Sequence, residues 1–450
     1  MSHPDLIAHV LGRSRFIDDG PDPAGLLHAA AVTSPAPHAR LGAVDASEAR
    51  AMPGVRAVLT AADIPGANQI GGIIQDEELF ATDAVHFIGQ PVAVVVADTP
   101  HQARAAAKAC VLDLDELPAI FDPREAASRG DFITASRTLE AGDVDAAWED
   151  CDVVVEGSAE TAGQEHLYLE TQAALAIPEE GGRIKLWSST QAPTAVQRIT
   201  ARVLGLPMNL VEVEVTRLGG AFGGKEDQAT PWAVMAALAA QHLDRPVRLT
   251  LSRHEDMRFT GKRHPYSSDF KLGLKNDGTF VAYEVHLWQN AGAAADLSPA
   301  ILERSLFHAT NAYLVPNARI HAASCRTNLP PFTAFRGFGA PQAMYVFEAA
   351  IDRAAEVTGI PRSTIQAKNL LDEGDLFPFG MRVERGRARR SFDEAAERFD
   401  LETLEKEIAA HNTGNGLTKR GVATMPVCFG ISFTNAILNQ AGALVHVYTD

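Results

Sequence analysis

The stretch Gly219-Gly-Ala-Phe-Gly-Gly-Lys-Glu226 constrains this chain more than any other. It follows a segment, Leu210 to Leu218, in which Val211, Val213 and Val215 alternate with Glu212, Glu214 and Thr216, the pattern of a half-buried strand. It precedes an apolar run, Pro231 to Leu243, that reads as a helix. Glycines at such a junction let the backbone approach a ligand and turn N–H groups toward an anion. The pattern follows a phosphate-binding loop from Gly219 to Lys225 but fails at the last place, where Glu226 replaces the hydroxyl that would ligate magnesium. A carboxylate there repels a triphosphate, so nucleotide hydrolysis is disfavoured. The plainer alternative is a turn that only packs strand against helix.

Strands and helices alternate along the rest of the chain. Val92 to Ala97 reads as a buried strand, Asp98-Thr99-Pro100 as a helix start, and Gln102 to Cys110 as that helix. Val55 to Leu59, Cys151 to Ser158, Ile184 to Ser189 and Val247 to Leu251 read as strands. Pro193 to Leu204 reads as a helix stopped by Gly205. Asn276-Asp277-Gly278 predicts a hairpin between strands Ser267 to Leu274 and Thr279 to Asn290. Ala343 to Thr358 and Phe392 to Asn412 read as helices. Pro118, Pro123 and Gly130 punctuate residues 118–150, which read as a connector between a first unit, 6–117, and a second, 151–450. Gly442 to Asp450 reads as a strand without a turn partner, as in a fragment or a chain completed by another polypeptide. The fold class expected is a mixed α+β and α/β architecture.

Charge and cysteine usage narrow the function. The 450 residues carry 57 acidic against 40 basic side chains, a net charge of -17. Such a surface repels phosphate backbones and argues against a nucleic-acid partner. The four cysteines, Cys110, Cys151, Cys325 and Cys428, lie far apart without a CxxC pair, which excludes the usual zinc and iron–sulfur spacings. Their scarcity fits a reducing, cytoplasmic setting. Met1 to Phe16 has no apolar core of a signal peptide, and the longest apolar run, near Ala233 to Ala240, is too short to span a bilayer, so no membrane association is expected.

Other candidates are weaker one by one. In Thr333-Ala-Phe-Arg-Gly-Phe-Gly-Ala-Pro-Gln342, Arg336 beside Phe338 suits an anion near an aromatic platform, but a buried aromatic cluster with Arg336 in a salt bridge is the commoner arrangement. Phe433, in Phe429-Gly-Ile-Ser-Phe-Thr434, is placed to stack on a flat ligand, or is one core aromatic of a strand. Gln191 ends a strand and precedes a helix, a common edge for sites and for ordinary caps. Arg304 is a lone cation awaiting an anion, or the partner of a nearby acid. His254-Glu-Asp256 and Glu165-His166 with Glu170 lack a third histidine at useful spacing and read as hydrogen-bonding or surface groups.

Taken in order, these segments resemble the xanthine dehydrogenase and aldehyde oxidase family of molybdenum hydroxylases. The likeness is close at Ser189-Thr-Gln191, Gly219 to Glu226, Thr260-Gly-Lys-Arg-His-Pro265, Glu303-Arg-Ser-Leu-Phe-His308, Thr333 to Gln342 and Phe429 to Gly442. It covers nearly the whole chain. It implies a hammerhead domain over 6–117, then a molybdenum-cofactor-binding domain over 151–450 with the start of a second, incomplete one near the end. The residues similar to the family's cofactor contacts are Gln191, Gly220, Ala221, Phe222, Gly223 and Arg336. No protein side chain is implied to ligate the metal, although Gln191 and Phe222 would lie near it. Phe338 and Phe433 resemble two rings that hold a substrate, one stacked and one edge-on, with Leu297 and Thr434 lining the pocket. Ala221 departs from the family's usual glycine by one methyl.

Glu226 and Arg304, with Gln191, are the catalytic candidates. The resemblance implies that Arg304 stabilises charge developing on a purine ring while Glu226 hydrogen-bonds a ring N–H or enol. Aldehyde oxidases generally lack this charged pair, and carbon monoxide dehydrogenases carry a cysteine where Arg336-Gly-Phe338 stands. Both features favour hypoxanthine and xanthine as substrates, with urate as product. The implied cofactor is molybdenum on molybdopterin with a sulfido ligand. Iron–sulfur clusters of the 2Fe-2S type and FAD are implied in a partner subunit, with NAD as final acceptor, in a hetero-oligomer whose large subunits pair. The family's general-base glutamate has no counterpart in these residues, so the isolated chain is expected to be inactive. Two rivals stand: an aldehyde or other N-heterocycle hydroxylase, and a non-catalytic scaffold that binds a partner.

Overall fold

The computed structural model describes residues 5–414, 416–434 and 439–449. Its strands, in chain order, are β1 Leu27–Thr33, β2 Ala39–Asp45, β3 Val55–Thr60, β4 Ala84–Val85, β5 Pro91–Ala97, β6 Val111–Glu116, β7 Arg137–Ala141 and β8 Val153–Thr161. They continue as β9 Ala173–Glu179, β10 Arg183–Ser188, β11 Val211–Glu214, β12 Val247–Thr250, β13 Tyr266–Leu274, β14 Phe280–Gly292 and β15 Asn317–Arg326. Three mixed or antiparallel sheets result, with orders β11-β10-β9-β12-β1-β5-β3, β7-β15-β14-β13-β8 and β4-β2-β6. The expected mixed α and β architecture is what the chain adopts.

The seven-stranded sheet joins distant parts of the chain. β1 pairs in parallel with β12, Leu27 beside Val247, and antiparallel with β5 on its other side. β5 is apolar and buried along its whole length, as a strand covered on both faces must be. Against the sheet lies the helix Thr230–Leu243, in which every residue from Trp232 to Ala240 is buried. A helix that is apolar all round can only be a core element. Its position fixes the turn 219–226 that leads into it.

The second sheet holds the hairpin. β13 and β14 pair antiparallel, and Lys275 exchanges hydrogen bonds with Gly278 and Thr279 around the turn, where Gly278 has φ +86°. Helices Ala340–Thr358 and Ser298–His308 pack on this layer.

Several expectations change. Residues 118–150 are not merely a connector: β7 pairs antiparallel with β15, and Pro123, read as a break, is the first residue of the helix Pro123–Ser128, capped by Asp122. The strand expected over Leu210–Leu218 stops at Glu214. The single helix expected over Phe392–Asn412 is two, Ala388–Arg398 and Leu401–Thr413, because Asp400 adopts φ +43° between them and caps the second through Thr403 N. Residues 442–449 form no strand among the described residues: Leu444, Val445, Val447 and Tyr448 are exposed and have no neighbouring strand to pair with. Asp450 lies outside the described residues, as do 435–438 of the stretch Phe429 to Gly442.

Candidate active site

The glycine-rich turn is built tightly against its own fold. Gly220 has φ +94°, Phe222 +56° and Gly223 +104°. A β-carbon on Gly223 would lie 2.7 Å from the Ala334 carbonyl oxygen, so two loops approach here as only glycine allows. Lys225 is fully buried and donates to the Glu170 carbonyl at 2.7 Å, to Glu170 Oε2 at 3.2 Å and to Ser189 Oγ at 2.6 Å. Its ammonium also sits 4.5 Å from the centre of the Tyr168 ring. With those partners it is committed to the interior and turned away from any phosphate, which closes the nucleotide reading.

Gln191, just past the end of β10, is locked to this turn. Its Oε1 accepts from Gly223 N at 3.0 Å and Lys225 N at 3.3 Å, and its own N–H donates to the Lys225 carbonyl. That leaves its side-chain NH₂ without a partner among the described residues. Phe222 is 50% exposed, and its carbonyl accepts from Arg336 N at 2.9 Å. The Arg336 guanidinium is exposed and, among the described residues, makes no salt bridge, contrary to the commoner arrangement weighed above. Gln191, Phe222, Gly223 and Arg336 therefore form one edge, with two solvent-facing donor groups that have no protein partner among the described residues beside an exposed ring. The same edge is buttressed from below. Burial pulls the His166 imidazole down to about 4, so it is neutral and its Nε2–H donates to the Ala334 carbonyl at 2.7 Å.

The aromatic pair comes from two distant segments. Phe338 has φ +53° between Gly337 and Gly339, both at φ +96°. A β-carbon on Gly339 would lie 2.4 Å from the Ile301 carbonyl oxygen, so this loop is pressed onto the helix Ser298–His308. Phe433 meets Phe338 with ring centres 5.8 Å apart and planes at 85°. That edge-to-face geometry suits the aromatic quadrupole, and it offers one ring to stack on a flat ligand and the other to meet its rim.

Arg304 holds the second ring in place. It is 5% exposed and pairs with no acid among the described residues, contrary to the ordinary expectation. Its guanidinium instead donates to the Gly430 carbonyl, and to the Ser432 carbonyl at 2.5 Å. It stands 5.9 Å from the Phe338 ring centre and 5.0 Å from that of Phe429. Thr434 donates to Glu303 Oε2 at 2.7 Å, and Leu297 immediately precedes the Arg304 helix. Gly430 N donates to His308 Nε2 at 3.0 Å, and Asn311 bonds Pro426 and Cys428. His308, Asn311 and Phe429 were not singled out from the sequence. The spacing 304, 308, 311, at helical period across the end of that helix, was the signal.

Glu226 ends the glycine-rich turn but makes no hydrogen bond or ion pair among the described residues, with Arg304 or any other. Burial, then the neighbouring Asp227, pushes its carboxyl up to about 7. Near neutral pH it can therefore stand in either protonation state. Asp256, by contrast, accepts from Tyr168 and Gln172 N in the core, and no three metal-ligating side chains converge among the described residues. The acid and histidine clusters are structural.

A glycine-turned loop beside an amide and a guanidinium that have no protein partner among the described residues, next to perpendicular rings, is an edge built to take a ligand. A model of the molybdopterin cofactor-binding domain matches residues 127–370, and a model of the aldehyde oxidase and xanthine dehydrogenase a/b hammerhead domain matches residues 11–118. The chain belongs to the xanthine dehydrogenase and aldehyde oxidase family, of which it carries these two domains. Mouse xanthine dehydrogenase/oxidase is 42% identical over 451 residues, all of this chain and 34% of that protein. Rice xanthine dehydrogenase is 41% identical over 454 residues, all of this chain and 33% of that protein. The aldehyde oxidoreductase of Desulfovibrio gigas superposes with a TM-score of 0.85 at 30% identity over 90% of this chain and 47% of its own. Quinoline 2-oxidoreductase of Pseudomonas putida 86 gives 0.83 at 26%, over 92% and 55%. The chain spans about a third of the length of the curated relatives it matches.

The residues present fit a molybdopterin group. An oxygen-rich, anionic pterin phosphate needs hydrogen-bond donors with nothing else to serve, and the Gln191 NH₂ and the Arg336 guanidinium are two such donors on one edge.

Proposed function

We propose that this chain binds hypoxanthine and xanthine and presents them to a molybdenum cofactor for hydroxylation to urate. The observation that carries the reading is the perpendicular Phe338–Phe433 pair with Arg304 beside it. Gln191, the turn Gly220 to Gly223 and Arg336 would hold the cofactor. When bound, that group supplies a Lewis-acidic, two-electron-accepting metal with a sulfido ligand.

The chain's own part is to place and charge-balance the substrate. Phe338 and Phe433 hold the ring in one plane, which restricts its approach to the metal edge. Leu297 and Thr434 close the slot. Arg304 provides fixed positive charge toward a ring that becomes anionic, and the slot keeps water from screening it. Glu226, protonated or ionised near neutral pH, hydrogen-bonds a polar purine edge. We propose further that electrons leave through a partner subunit with 2Fe-2S clusters and FAD to NAD, in a hetero-oligomer with paired large subunits.

The likeness to an aldehyde oxidoreductase supports a second reading, an aldehyde substrate in the same slot. Turnover of xanthine against benzaldehyde by the complete enzyme separates the two. A preference for xanthine is expected, and a preference for benzaldehyde sinks the purine reading. Molybdenum near one per chain is expected too, and its absence favours a scaffold.

A further inference from the structure

We propose that Asp296 is a positioning residue that holds the three substrate-facing segments in one register. Its carboxylate, 3% exposed, accepts a hydrogen bond from each of them. Gln228 Nε2 donates at 2.8 Å, and Gln228 lies two residues after Glu226. Leu297 N donates at 2.6 Å at the start of the Arg304 helix. Thr333 Oγ1 donates at 2.7 Å, at the head of the loop that carries Arg336 and Phe338.

Gln228 is itself fixed at both ends. Its Oε1 accepts from Gly261 N at 2.8 Å, and its Nε2 also reaches the Pro331 carbonyl at 3.3 Å. The residue before Asp296 is fixed as well, because Ala295 N donates to the Asp76 carboxylate. Asp296 is held at φ +42°, a left-handed conformation that is strained for an aspartate and persists where its surroundings demand it. Burial, then Asp227, also pushes its carboxyl above the ordinary range, against the bonds from Thr333 and Gln228. A strained, desolvated carboxylate is more than the capping of one helix requires. It suits the tying of three loops whose side chains must share one ligand.

The inference rests on the purine reading in one respect, that Glu226 and Arg304 grip a purine and matter little to a small aldehyde. In D296N the new amide still accepts from Leu297 and Thr333 but turns its NH₂ against that of Gln228. Changing Gln228 to Glu as well lets position 228 accept from both the new amide and Gly261 N, with loss of the weaker Pro331 bond. In the complete enzyme, D296N should raise amide hydrogen exchange about tenfold in residues 222–229 and 331–340 and leave the seven-stranded sheet unchanged. It should also lower the xanthine-to-benzaldehyde ratio of kcat/KM about tenfold. D296N/Q228E should bring both back to within about threefold.

A rise in exchange across the whole chain, a rise in one segment alone, or no recovery in the double variant overturns the proposal. A merely structural Asp296 would lower both activities together and leave their ratio alone. Should the wild-type enzyme show no preference for xanthine, the purine reading fails, and the exchange pattern still decides for or against Asp296.

Discussion

The two halves of the site are held by different means. The turn 219–226 is part of the core: its lysine is buried, its glycines pack against Tyr168, His166 and Ala334, and a helix buried from Trp232 to Ala240 follows it. The segment 424–434 belongs to no sheet. It hangs from Gln366, Asn311, His308 and Arg304, whose side chains bond its backbone. The first half is rigid because removing any part unpacks a core. The second is rigid only while a handful of polar side chains hold it. The proposed cofactor cradle thus sits on the firm half, and Phe433, the second of the two rings proposed to face the substrate, on the adjustable half.

The largest expected effect tests the hung half. Arg304→Met removes the charge and both carbonyl clamps, and kcat/KM for xanthine should fall about 10²–10³-fold, the scale of losing a fixed charge-stabilising group. Hydrogen exchange in 428–434 should rise with it. A loss of activity with that segment still protected would mean that Arg304 acts through charge alone. The firm half is tested next by Lys225→Met, which leaves the largely buried Glu170 carboxylate unpaired and should destabilise the fold by about 3 kcal/mol or more. Thermal unfolding measures it, and an unchanged midpoint would show that the turn does not depend on its lysine.

A pH series sharpens the comparison at the junction. The Glu226 carboxyl lies at about 7 in the fold against an ordinary 4.5, so the folded chain binds the extra proton between those values. Stability contributed by Glu226 should therefore fall as pH rises from about 4.5 to 7 and level off above. Glu226→Gln should flatten that slope in denaturant titrations at each pH, and an identical slope would place the titration elsewhere. The smallest effect is expected from Phe433→Leu, which keeps bulk and loses the edge-to-face contact. The KM for xanthine should rise about two- to tenfold with kcat little changed.

The same division explains what the sequence revealed. The firm half is local: strand, glycines and apolar helix are contiguous, Gly205 ends a helix in the left-handed conformation expected of it, and Asn276-Asp277-Gly278 turns a hairpin. The hung half misled. Alternation near the C-terminus imitates a strand, yet nothing among the described residues pairs with 442–449, and apart from Asn439, which bonds the Phe433 backbone, the bonds that order 424–434 come from side chains more than 50 positions earlier. Most buried arginines pair with an acid, whereas Arg304 binds carbonyls. Asp296 passed unnoticed because its partners, Gln228 and Thr333, lie far off on either side, and no short pattern joins them.

The parallel pairing of β1 with β12 has a consequence for synthesis. Leu27 must wait for Val247, about 220 residues later, before that edge is covered. At about 5–20 residues per second on the ribosome, this means roughly 10–45 seconds during which a short apolar strand has one open side. Slow refolding in vitro, with the open edge exposed to aggregation meanwhile, is the expected consequence of so long-range a pairing.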